Sequence, residues 1–173
     1  MNREQLLRRR IKALTWLFIL GLVLSGVTAI PLPSELDKLV DLTGASQLVD
    51  AAGATGAPEW ALWLTRVQTT LREADQRSPF IFYGADWLAF GHFMIAIAFV
   101  GALRDPVRNR WLFSFGMIAC ALVIPYAFLF GAARGIPVWW RLVDCSFGVF
   151  GIIPLWLCRR WVAELESRTE GPS

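Results

Sequence analysis

The sequence is poor in charge. Only 18% of its 173 residues are Asp, Glu, Lys or Arg, against about 25% in ordinary soluble domains. It has one histidine, His92, and three cysteines with no Cys-x-x-Cys spacing. A single imidazole and scattered thiols argue against a zinc or haem centre, which needs several convergent ligands, so no metal site or cofactor is expected. An odd number of cysteines likewise argues against a disulfide framework. Cys120, Cys145 and Cys158 all fall in apolar runs, where a thiol serves as a small packing group. There is no internal repeat and no glycine-rich phosphate loop. With a net charge of +3, nothing suggests a nucleic-acid partner.

What the chain has in excess is apolar surface. Apolar side chains make up 55% of it and the mean hydropathy is +0.48, which excludes intrinsic disorder. The few charges leave four long gaps. A helix rises about 1.5 Å per residue, so a hydrocarbon core of about 30 Å needs about 20 apolar residues. Spans are expected at about 13–30, 87–103, 111–131 and 139–158. Trp16, Trp111, Trp156 and Trp161 then fall at one interface and Trp87, Trp139 and Trp140 at the other, as aromatic belts do. The expected fold is an all-α integral membrane protein, a bundle of four transmembrane helices in a single membrane domain covering residues 1–173.

Orientation follows from the basic residues. Eleven of the 17 lie in the N-terminal tail, the loop between the second and third spans, and the C-terminal tail, which predicts that both termini are cytoplasmic in a cell (inner) membrane. A rival reading makes the first span a signal peptide cleaved after Val27-Thr28-Ala29. The apolar run is longer than the ~7–15 residues of a signal core, which favours a retained span. The run Arg8-Arg9-Arg10 suits positive-inside anchoring with contact to anionic lipid.

Residues 31–85 form the one sizeable segment outside the membrane, on the extracytoplasmic side. Its small-residue stretch Ala51 to Ala57 reads as a hinge. Beyond it, Trp60, Trp63, Leu64, Val67 and Leu71 recur at helical spacing, which predicts an amphipathic helix starting near Pro58. Before it, Leu36, Leu39 and Val40 suggest a weaker helix capped by Ser34. Such helices are expected to lie on the bilayer or to fold over the outer ends of the spans.

Polar groups at membrane depth are expensive, about 2.5–3.5 kcal/mol at a helix centre on insertion scales, and so carry information. Counting inward from the outer ends puts His92 roughly 9 Å deep and Asp144 and Tyr126 each roughly 7–8 Å deep. Asp86, Arg134 and Arg141 fall above them, at the outer mouth. Each also has a structural reading. Asp86 suits a helix N-cap, His92 an interhelical hydrogen bond, Tyr126 an interfacial aromatic, and Arg141 a helix-face partner for Asp144 three residues on. Gly148 and Gly151 share the face of Asp144 and allow close helix packing, but packing alone does not need a carboxylate. The candidate catalytic residues are therefore Asp144, His92 and Asp86, and the candidate substrate-binding residues Arg134, Arg141 and Tyr126. They fit an outward-facing polar pocket for a lipid-linked envelope substrate. The alternative is a non-catalytic membrane subunit that docks on a membrane-protein partner.

Asp86 and His92-Phe93 opening the second span, an arginine before the last, and Asp144 with Gly151 inside it resemble the VanZ-like bacterial membrane proteins, a family linked to glycopeptide resistance. The resemblance covers roughly Asp86 to Cys158 and implies a four-span envelope protein. This chain departs from the pattern in the Asp-to-His spacing, in lacking a glutamate in the third span, and in having Gly148 where asparagine is expected. Lipoprotein signal peptidases share the layout and an aspartate in the fourth span. Their other aspartate has no counterpart around Gly131 to Arg134.

Overall fold

The computed structural model describes residues 2–169, and among these it contains helices and turns but no strand. Seven α-helices follow one another: α1 (Arg3–Ala29), α2 (Leu32–Thr43), α3 (Ala45–Gly56), α4 (Glu59–Arg77), α5 (Tyr83–Arg104), α6 (Arg110–Ala133) and α7 (Val138–Thr169). A 3-10 turn, Pro79–Phe82, leads into α5. Four segments, built on α1, α5, α6 and α7, are long and apolar enough to cross a membrane, as the charge-free gaps predict. The protein is an all-α, multi-pass membrane protein.

All four helices outrun their apolar gaps. α7 has 32 residues, about 48 Å at 1.5 Å each. The extra turns at the end carrying both termini are held by ion pairs between helices. Arg3 donates through Nε and Nη2 to the two oxygens of Glu164, at 3.1 and 3.2 Å. Arg110 donates to both oxygens of Glu166. The Arg3 guanidinium keeps the Glu164 carboxyl below its ordinary pKa, and Arg168 adds to the effect. Both termini therefore lie at one end of the bundle, as four crossings require.

The chain divides into two compact units. The larger runs up to Leu22 and resumes at Met94, and the smaller is Val23–Phe93. In the larger unit α1 and α7 are antiparallel, with Arg10 over the Trp161 ring, Thr15 Oγ1 4.0 Å from Cys158 Sγ, and Phe18 near Gly151. Leu7, Ile11, Leu155, Val162 and Leu165 are almost wholly buried. Phe99 of α5 packs tilted against Phe18 and edge-on to Phe113 of α6, and a Cβ at Gly116 would strike Leu155 and Phe99. Burial thus concentrates toward the end with the termini. Between Met117 and Asp144 no residue is buried.

The smaller unit gathers α2, α3 and α4 with the last residues of α1 and the first half of α5. Gly44, at φ 68°, ends α2 in the left-handed conformation and turns the chain into α3. The expected hinge is narrower than its sequence: α3 runs through most of it and breaks at Gly53, φ 69°. α2 begins at Leu32 after Pro31, and Ser34 is not its cap. In α4 the buried residues are Ala61, Leu64 and Gln68, so of the expected apolar stripe only Leu64 is fully covered. Gln68 turns inward because its amide donates to Asp37 of α2 at 2.8 Å, while Arg72 pairs with the same carboxylate at 2.9 Å. Those two donors, Arg72 foremost, hold the Asp37 carboxyl below its ordinary pKa.

Candidate functional site

The six candidate residues divide between the two units. Asp86 and His92 belong to the smaller, and Tyr126, Arg134, Arg141 and Asp144 to the larger.

Asp86 is not an N-cap. Pro79–Phe82 supplies a turn upstream, α5 starts at Tyr83, and Asp86 lies exposed inside the first helical turn, where the helix dipole favours a carboxylate. Tyr83, Asp86, Trp87 and Phe90 line a shallow surface hollow, with Trp87 edge-on to both other rings. His92 is half-buried, and its Nδ1 lies 2.8 Å from the carbonyl oxygen of Leu88 one turn back. A carbonyl only accepts, so Nδ1 carries a proton and donates it to Leu88. At 100° per residue His92 and Asp86 face about 120° apart around α5, so they do not form a dyad.

α6 and α7 pack as an antiparallel pair. A Cβ on Gly148 would lie 2.5 Å from the carbonyl oxygen of Cys120, one on Gly151 2.9 Å from Cys120 Sγ, and one on Gly131 2.8 Å from Cδ of Arg141. The glycines beside Asp144 are therefore filled by α6. This register sets Asp144 near the level of Ala127 and Tyr126, so the sequence-counted depths of Tyr126 and Asp144 agree. Pro125, inside α6 at that level, has no N–H to offer the carbonyl of Ala121. Asp144 itself is half-buried, and no hydrogen bond or ion pair reaches it from the described residues.

Arg141 is not the partner of Asp144. Its Nε donates to the carbonyl of Ile136 at 2.7 Å and its stem lies along Gly131, so it clamps the turn between α6 and α7. That turn depends on Gly135, at φ 70°. Arg134 ends α6, exposed and without an acidic partner among the described residues. Tyr126 is 64% exposed and leans on Phe130, with ring centroids 4.5 Å apart. The Ser146 hydroxyl donates to the carbonyl of Val143 in its own helix. Among the described residues no three His, Cys, Asp or Glu side chains converge as a metal would require.

Periodicity could not reveal the carbonyl contact of His92 or the clamp made by Arg141, because both depend on backbone acceptors. Gly135 before the last span was the available sign of the second. No family model, no curated protein and no solved structure matches the chain.

Proposed function

We propose that the protein is a cell-membrane component, with both termini in the cytoplasm, that binds an amphipathic, lipid-linked envelope compound at its outer half. Asp144 is the centre of that site. Arg134, in the same unit, holds an anionic headgroup at the outer mouth. The observation that carries this reading is the isolation of Asp144, a half-buried carboxylate at membrane depth with no partner among the described residues. The two obvious structural explanations are taken away by Arg141, which is bound to Ile136, and by α6, which fills the glycine face. A carboxylate kept in an apolar helix at a cost of kcal/mol, without stabilising the fold, is there for something that binds it. A VanZ-like envelope role agrees with this reading.

The test is Asp144→Asn in a strain deprived of the chain. Inserted, folded protein that no longer complements supports the site, and full complementation rejects it.

A second reading, a non-catalytic subunit docking on another membrane protein, is favoured by one observation. The stretch Met117 to Asp144 has no buried residue and exposes Leu122, Tyr126, Leu129 and Phe130 to the surroundings. Co-purification at fixed stoichiometry with another membrane protein, abolished by polar substitutions at Leu122 and Leu129, would select it.

A further inference from the structure

At the end of the larger unit that carries both termini, positive charge exceeds what the protein itself neutralises. Of the eleven basic residues there, Arg3, Arg8, Arg110 and Arg168 pair with Glu164, Glu4 or Glu166. Arg9, Arg10, Lys12, Arg104, Arg108, Arg159 and Arg160 have no carboxylate partner among the described residues. The carboxylate of Asp105 accepts the backbone N–H of Arg108. The antiparallel packing that sets Arg10 over Trp161, and the pairing of Arg110 with Glu166, put most of these unpaired cations within a turn or two of one level.

Two exposed helix strips run away from that level with the same order of chemistry. On α1, Arg9 and Lys12 are followed at helical spacing by Trp16, 52% exposed, and Leu20. On α7, Arg160 lies over the Trp156 ring at 5.7 Å, and exposed Ile153 follows on the same face. A cation, then an indole, then an aliphatic side chain is the sequence met on descending from a phospholipid headgroup through the interface to the acyl chains.

We infer that these two strips are binding sites for anionic phospholipid, with Arg9 and Lys12 on one and Arg160 on the other holding the headgroup phosphate while Trp16 and Trp156 lie against the glycerol and upper acyl region. The inference is independent of any role for Asp144. Attraction of this kind amounts to about fivefold in affinity for each cation near an anionic surface, and it weakens with salt.

The test uses the full chain in detergent, with equimolar phosphatidylglycerol and phosphatidylcholine added, and counts retained lipids by native mass spectrometry. Wild type should retain phosphatidylglycerol preferentially. The triple variant Arg9→Gln, Lys12→Gln, Arg160→Gln should lose most of that preference, about fivefold per charge removed at each strip. Arg9→Lys with Arg160→Lys, which keeps the charge, should retain it, and so should Arg66→Gln on exposed α4. Equal retention of the two lipids by wild type, or an undiminished preference in a folded triple variant, would overturn the inference. Displacement of the lipid by millimolar glycerol phosphate would also overturn it, because the strips would then be reading a soluble phosphate and not a lipid.

Discussion

Gly148→Ala tests the packing that isolates Asp144. The new Cβ would stand 2.5 Å from the Cys120 carbonyl oxygen and 3.5 Å from Val123. A carbon in contact with a carbonyl oxygen rests at about 3.3–3.6 Å, so α6 and α7 must separate locally by roughly 1 Å or slide past each other. The obstacle is backbone and cannot rotate aside. Overpacking of this kind costs about 1–3 kcal/mol, offset by the ~0.5–1 kcal/mol gained whenever alanine replaces a helical glycine. The net loss is about 0–2.5 kcal/mol, and relative to Gly21→Ala the full overpacking cost of about 1–3 kcal/mol should show. Gly21→Ala is the control, since a Cβ there meets nothing within 4 Å and the same conformational gain should appear alone. Thermal unfolding of both variants in one detergent should lower the midpoint for Gly148→Ala and leave it level or raised for Gly21→Ala. A Gly148→Ala midpoint at or above that of Gly21→Ala would refute the close approach of α6, and with it the claim that the glycine face has no room for a ligand of Asp144.

Acidification should loosen the packing of α4 on α2. The Asp37 carboxyl is held below its ordinary pKa by Arg72 and Gln68, so its contribution is intact above the ordinary value of about 4 and is lost as pH falls through the lowered one. Hydrogen exchange across α2 and α4 should accelerate over that range in the wild type but not in Asp37→Asn. Arg141→Lys should free the turn between α6 and α7, because an ammonium on a different stem does not reproduce the Nε contact with Ile136; faster proteolysis at Gly135 than in wild type would reveal it. Sequencing of the purified protein should find residues before Lys12, because α1 contributes Leu7, Ile11 and Thr15 to the core and covers Cys158. A mature chain beginning at Ile30 would count against that packing.

The crossings were legible because a bilayer penalises charge so heavily that four gaps between charges mark four helices. What lay beyond the gaps was not. Arg3 and Glu164 sit 161 residues apart, and their pairing is what lengthens α1 and α7 past the apolar runs. Gln68 is buried because Asp37, from another helix, satisfies its amide, and spacing along α4 does not identify that partner. Asp86 read as a cap because nothing local announces that Pro79–Phe82 already turns helically. The polar candidates were legible as residue types at membrane depth. Their partners were not, since Arg141 and His92 bond to backbone carbonyls that no spacing rule identifies.

The central claim is that Asp144 serves binding and not the fold, and Asp144→Asn tests it most directly when membrane insertion, thermal midpoint and complementation are measured on the same preparation. The account predicts insertion and a midpoint equal to wild type with complementation lost. Full complementation, or a midpoint several degrees lower, would contradict it.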